Sequence, residues 1–348
     1  MSKLNSWRKL LCSKSELRLD ITLKCGQSFR WKLLPASSLD CLSSPAPGPV
    51  YAGVLHQKLM LLAQDEENVW FCAVTNNNDQ NCHETEKQLI DYFQLDKNLG
   101  HLYQDWSSND PIFEKLSTTY PGVRILRQDP VENVFSFICS ANNNISRISS
   151  MVEKMCKNYG DKVCHFADEE YFSFPSLESL SQSSVEQKLR ELGFGYRAKY
   201  IQQSAKFILD QGGESWLFSH RSMTYIDARK SLLQLSGVGP KVADCILLMS
   251  MDQPGAVPVD THMFNIAKQY LPHLNKTKTV TDKVYLEIGD HFRKLYGGYA
   301  GWAHSVLFSA DLKHIQKSVE NHNSKLEIKC EEKETEVKSP TAKKKKKK

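Results

Sequence analysis

The hydrophobic period of this 348-residue chain changes once, near Glu84, and that switch limits the fold more than any other feature. Before it, apolar residues come in short alternating, β-branched or aromatic runs: RLDITL at 18–23, SFRWKLL at 28–34, VYAGVL at 50–55, KLMLLAQ at 58–64 and NVWFCAV at 68–74. Between them, LPASSLDCLSSPAPGPV, with prolines at 35, 45, 47 and 49, and the polar TNNNDQN at 75–81 suit neither helix nor ladder. An antiparallel sheet with two exposed loops follows. Beyond Glu84 apolar residues return at helical spacing, as at Leu89, Tyr92 and Phe93 and again at Val134, Phe135, Phe137 and Ile138. That spacing predicts helices at 145–158, 185–192, 196–211, 224–235, 242–251, 261–270, 280–295 and 301–311. The expected fold class is α+β: an N-terminal antiparallel β-sheet domain at 1–118, an all-helical region at 119–318, and a disordered lysine-rich tail at 319–348.

Charge narrows the partners. The chain carries 45 Lys and Arg against 40 Asp and Glu, but Lys338 and the six lysines at 343–348 supply seven of those bases. Without them 38 bases face 40 acids, so a polyanion bound by the folded part must meet a local positive patch. No two of the ten cysteines lie closer than eight positions, which excludes zinc knuckles and a tight four-cysteine iron–sulfur run. Reduced, mostly buried thiols are expected. The longest apolar run, 295–310, is broken by His304 and falls short of the roughly 18 residues of a membrane span, so no membrane partner is expected.

The chemistry concentrates between 222 and 263. Two helical runs flank SGVGP, where Gly237 and Gly239 offer backbone conformations denied to other residues and amides that converge on an anion at the next helix start. Lys241 follows Pro240 in the first turn of that helix. The positive end of the helix dipole and burial among Val242, Cys245 and Ile246 both disfavour an ammonium there. A neutral amine is a nucleophile able to form a Schiff base. Asp260, after QPGAVPV and ahead of THMFNIAKQY, stands where an N-cap belongs. A carboxylate held so can also stabilise a developing oxocarbenium ion or help deprotonate an attacking amine.

The run Leu235 to Met263 resembles the hairpin and Gly/Pro-Asp loop of the helix-hairpin-helix DNA glycosylase superfamily. LRQDPVENVFSFICSANNNISR, LGFGYRAKY and YAGWAHSVLFSADL are similar to the eukaryotic 8-oxoguanine DNA glycosylases, and the likeness spans about residues 16 to 313. Absence of a four-cysteine cluster separates the chain from the endonuclease III and adenine glycosylase branches. The resemblance implies that the helical region is a helix-hairpin-helix glycosylase core acting on double-stranded DNA that contains oxidised guanine. The damaged base is flipped out of the duplex, Lys241 attacks C1′ while Asp260 stabilises the charge, and the Schiff base permits β-elimination: a bifunctional glycosylase and lyase of base excision repair.

The same resemblance assigns the remaining positions. Gly26, in CGQSFRW, would turn its carbonyl to N7 of the flipped base, protonated in the lesion but a bare acceptor in guanine. Cys245 and Phe308 would sandwich that base. Asn142, Arg147, Tyr196 and Arg197 would fill the vacated stack and read the orphaned cytosine, and His262 would contact a phosphate. One position departs from the pattern: His304 stands where the family has glutamine, and an imidazole cannot reproduce a side-by-side amide donor and acceptor. No step calls for a metal or cofactor, and a monomer is expected.

KSPTAKKKKKK reads as a nuclear-import signal, with a nonspecific nucleic-acid arm as the alternative. The basic start MSKLNSWRKLLCSKSE allows a mitochondrial pool. Two other functions stay open at this point: a monofunctional glycosylase for alkylated bases, which would need Asp260 and water but not Lys241, and a non-catalytic DNA-binding scaffold using the hairpin alone.

Overall fold

The structure, a computed structural model, describes residues 7–39, 46–74, 82–317 and 319–320. Five strands form one antiparallel sheet: β1 (Arg8–Leu11), β2 (Lys32–Leu33), β3 (Tyr51–Leu55), β4 (Lys58–Gln64) and β5 (Asn68–Val74), in the order β1-β5-β4-β3-β2. Strand β4 shows why its sequence is almost continuously apolar. Leu59, Leu61 and Ala63 face one core and Met60 and Leu62 face another, so both faces of an antiparallel sheet are covered. The β3–β4 hairpin turns at His56 and Gln57, both with positive φ (47° and 58°), the twist a two-residue hairpin requires.

The run at 18–23 is not a strand. Leu19–Thr22 is a single helical turn, α1, wedged between two cores: Leu17, Leu19 and Leu23 pack under the sheet while Ile21 and Cys25 point into the helical core. Alternation there reflects two burial partners, not a pleat. In SFRWKLL the pairing begins only at Lys32 and runs on to Leu34, whose amide donates to Val50 O at 2.8 Å, because Phe29 turns away into the helical core. Strand β1, with Leu10 as its single buried side chain, carries too weak a pattern to be read.

Helices follow: α2 (Cys82–Tyr92), α3 (Leu99–Asn109), α4 (Pro111–Ser117), α5 (Pro130–Ser140), α6 (Ile145–Tyr159), α7 (Leu177–Ser181), α8 (Val185–Glu191), α9 (Arg197–Gln211) and α10 (Glu214–Ser219). The last five are α11 (Tyr225–Leu232), α12 (Pro240–Ser250), α13 (Thr261–Tyr270), α14 (Asp282–Tyr296) and α15 (Ala300–Asp311). Most begin on a side-chain cap, among them Asp129 on Glu132 N, Thr224 on Asp227 N and Asp260 on Met263 N. The region is not all helical, however. Between α6 and α7 lies a second hairpin, β6 (Lys162–Phe166) and β7 (Glu169–Phe172), turning at Ala167 and Asp168 with φ of 51° and 61°. Its Cys164, Phe166 and Tyr171 cover the second face of the sheet.

Cys12, Cys25, Cys139, Cys156, Cys164 and Cys245 are buried thiols outside any disulfide. Among the described residues no helix is long and apolar enough to cross a membrane, and no group of His, Cys, Asp and Glu is arranged to hold a metal ion. Val319, assigned by composition to the tail, is buried with Leu312 and Ile315 in the helical core. Residues 321–348 of the tail, residues 1–6, and 40–45 and 75–81 of the two expected loops lie outside the described residues, and the first loop holds a short 3-10 helix at Ala36–Leu39 that its prolines did not suggest.

Candidate active site

Leu232 ends α11 and Pro240 opens α12, leaving seven residues for the hairpin. Gly237 has φ of +81°, and a Cβ there would come within 2.6 Å of the Tyr200 ring, so glycine is required on both counts. Gly239 differs from expectation. Its backbone is extended (φ −94°, ψ −177°) and a Cβ would meet nothing within 4 Å, so neither strain nor crowding demands glycine in the unliganded protein. What its bare Cα leaves open is the approach to the uncapped α12 N-terminus, where no side chain occupies the first amides.

Lys241 lies one residue into α12, half-buried, with its ammonium 5.4 Å from the centre of the Phe137 ring. Below it Val242, Cys245 and Ile246 are buried. Burial pushes the Cys245 thiol up to about 11, an effect partly offset by Lys241 beside it. Asp260 is half-buried at the start of α13, its Oδ1 accepting from the Met263 amide at 2.9 Å. The expected cap is present, and it aims the carboxylate at the space Lys241 faces.

That space has two parts. An outer groove of about 660 Å³ is lined by Gly26, Phe137, Lys241, Asp260, His262 and Phe308, among others. An inner cavity of about 50 Å³ is enclosed by Gly26, Lys241, Cys245, Asp260, His304 and Phe308, together with Cys25, Phe137, Met249 and Pro258. Six residues drawn from distant stretches of sequence thus face one cavity. Gly26 sits with φ of +83° in a bend just after α1, and its missing Cβ would approach Ile145 Cδ1 at 3.2 Å. The bend is fixed from behind by Gln27, which donates to Arg124 O at 2.7 Å and accepts from Leu126 N at 3.0 Å.

His304 is 5% exposed and stacks on Phe308 at 6.2 Å with a 12° interplanar angle; neither ring nitrogen makes a hydrogen bond of good geometry among the described residues, and the backbone of Pro258 and Gly301 meets the ring only loosely. Burial drives its pKa down to about 4, against the opposing pull of Asp260, so the ring is neutral at physiological pH. Phe308 is half-buried and also meets the His262 ring edge-on at 5.7 Å; His262 Nδ1 lies 2.5 Å from Asp311 Oδ2.

The remaining candidates form a second cluster, outside both cavities. Asn142 holds a positive φ of 47° in the turn after α5, and the carbonyls of Ala141 and Asn142 accept from the Arg197 Nη2, the latter at 3.1 Å. Tyr196, 46% exposed, donates its hydroxyl to Ala141 O at 3.2 Å, and the Arg197 guanidinium lies over its ring at 4.6 Å. Arg147 is exposed in the first turn of α6, its amide capped by Asn144. The loop, Tyr196 and Arg197 are therefore preassembled, and Arg147 stands free of that knot. Phe137, Cys25, Met249 and Pro258 were not legible as site residues: each sits in an apolar run that reads as core.

Residues 9–134 match the 8-oxoguanine DNA glycosylase N-terminal domain, and residues 135–289 match the HhH-GPD superfamily of base excision DNA repair proteins. The chain is 40% identical to the N-glycosylase/DNA lyase of Saccharomyces cerevisiae over 87% of its length and 86% of that protein. With the N-glycosylase/DNA lyase of Arabidopsis thaliana it shares 37% identity over 94% of its length and 87% of that protein. Among solved structures, the 8-oxoguanine glycosylase/lyase of Clostridium acetobutylicum, in complex with duplex DNA containing cytosine opposite the lesion, superposes with a TM-score of 0.69 at 27% identity, covering 88% of this chain and 97% of that one. With two such relatives matched along most of its length, the chain belongs to the 8-oxoguanine DNA glycosylase family of N-glycosylase/DNA lyases.

Proposed function

We propose that this protein removes 8-oxoguanine paired with cytosine from duplex DNA and then nicks the abasic strand, using Lys241 as nucleophile and Asp260 as its electrostatic partner. The observation that carries the reading is that Lys241 and Asp260 line both the outer groove and the inner cavity, at the junction where a sugar would lie between duplex and extruded base. The Lys241 amine attacks C1′ as the bond to N9 breaks, the base leaving with the bonding pair and taking up a proton. The Asp260 side chain offsets the positive charge that develops on the sugar. Ring opening gives an imine between Nζ and C1′; loss of a C2′ proton expels the 3′ phosphate, and water releases the lysine.

The recognition residues fit the same path. The inner cavity has room for a few waters and not for a purine, so its lining must part on base insertion, and the half-buried Phe308, common to both cavities, is the ring placed to move. The Ala141–Asn142 turn, Tyr196 and Arg147 face the gap left in the duplex, and the open α12 start with Gly237 and Gly239 receives a backbone phosphate, as does His262. The protein acts as a monomer in the nucleus, addressed by KSPTAKKKKKK; a mitochondrial pool has less support, since Arg8–Leu11 of the basic start is strand β1 of the sheet.

Incubation with a duplex carrying one 8-oxoguanine opposite cytosine, followed by borohydride, should yield a covalent adduct, and the same duplex with guanine should not. A scaffold would bind both duplexes without an adduct, and an alkylated-base glycosylase working through water would release base without one; either result ends the proposal.

A further inference from the structure

The residue before Lys241 and the residue before Asp260 meet at one side-chain atom. The Tyr285 hydroxyl, projecting from α14, donates to Asp244 Oδ2 at 2.5 Å with the carbonyls of Pro240 at 3.2 Å and Val257 at 3.5 Å beside the same proton, and its lone pair accepts from the Val259 amide at 3.4 Å. Tyr285 is 6% exposed and Asp244 fully buried. The other carboxylate oxygen of Asp244 accepts from the Tyr225 hydroxyl at 2.9 Å and lies 3.3 Å from Arg229 Nε. Two elements far apart in sequence, the first turn of α12 and the extended lead into α13, are thus pinned to a third helix directly behind the reacting pair. A buried aspartate on a helix interior is expensive unless fully bonded, and here its bonds are spent on this junction.

We propose that Tyr285, anchored by Asp244, is a positioning residue that sets the distance between the Lys241 amine and the Asp260 carboxylate. This rests on the reading of Lys241 and Asp260 as the reacting pair. Reactions that depend on placement lose roughly a hundredfold for a 1 Å error, and among the described residues the peptide units that fix these two side chains are joined by hydrogen bonds only through this hydroxyl. Tyr225 supplies the control, since its hydroxyl also serves Asp244 yet touches neither Pro240 nor Val259.

The test compares full-length wild type, Tyr285→Phe, Tyr225→Phe and Lys241→Gln. Single-turnover excision and borohydride trapping are measured on the 8-oxoguanine duplex, affinity on a duplex with a tetrahydrofuran abasic-site analogue, and thermal melting on each protein. Tyr285→Phe should slow excision and trapping by roughly 10- to 100-fold with affinity unchanged, whereas Tyr225→Phe should lower the melting temperature similarly and keep the wild-type rate. Equal rate losses in the two tyrosine variants, or a wild-type rate in Tyr285→Phe, would overturn the positioning role. Trapping that survives Lys241→Gln overturns instead the choice of nucleophile on which the proposal rests. If Tyr285→Phe does not fold, Asp244→Asn replaces it: the rate must fall without loss of affinity, and a wild-type rate counts against the proposal.

Discussion

The two walls of the inner cavity are built on opposite rules. Behind Lys241 and Asp260 the polar groups are bonded: Asp260 caps α13, and both oxygens of Asp244 are engaged by Tyr225, Tyr285 and Arg229. Across the cavity, His304 is also buried, yet its ring nitrogens meet only the backbone of Pro258 and Gly301, and none of those contacts has good hydrogen-bond geometry. A poorly paired buried polar group costs about 1–3 kcal/mol, which a base that bonds the His304 ring would recover. With Lys241 and Asp260 read as the reacting pair, the reacting wall is held by its own hydrogen bonds, whereas the recognising wall offers loosely bonded groups to an incoming base.

The sharpest way to break this contrast is Lys241→Gln, which should abolish trapping and lower single-turnover excision by at least ~10³-fold while DNA affinity holds. Asp260→Asn comes next. The amide oxygen can still cap Met263, so the melting temperature should stay put while excision falls roughly 10²- to 10³-fold through loss of charge alone; a large drop in stability instead would make Asp260 chiefly a cap. On the recognising wall, Phe308→Ala should weaken binding of lesion duplex by about 1–3 kcal/mol, seen as a weaker affinity more than a slower bond-breaking step.

The smallest effect, and the most informative about this chain, is expected for His304→Gln. Excision of 8-oxoguanine opposite cytosine should be held or increased, because an amide offers donor and acceptor side by side; a large loss of single-turnover rate would instead give histidine a dedicated part in recognition. The same variant changes pH dependence. Because the folded-state pKa of His304 lies below its ordinary value, the unfolded chain takes up the proton first, and stability declines as pH falls from about 6.5 to about 4. That decline is worth about 3 kcal/mol across the window and should be missing from melting curves of His304→Gln.

Much of this arrangement was legible in the residues. KLMLLAQ and NVWFCAV form β4 and β5 residue for residue, and THMFNIAKQY is α13 with Asp260 as its cap, since each carries its own boundary signals. Lys241 and Asp260 announced themselves through a glycine hairpin and a cap. Gly26, Cys245 and Phe308 did not: nothing local distinguishes a core cysteine or phenylalanine from one facing a cavity, and only family resemblance singled them out. Ala167 and Asp168 hid a hairpin because its left-handed turn lacks the glycine that usually marks one. Alternation at Leu17, Leu19, Ile21 and Leu23 misled because a short helix between two cores imitates a pleat.

That concealed hairpin has a bearing on how the molecule holds together. Val50, Ala52, Leu59, Leu61 and Ala63 are shielded by side chains from β6 and β7, which belong to the later, mainly helical stretch. Separating the chain near residue 118 would therefore strip the outer side of the sheet of its cover and leave a broad greasy surface facing water. Each portion depends on the other to hide its apolar area, so heat or denaturant should melt them together, and a repair enzyme cut at that joint would yield two sticky fragments in place of two working modules.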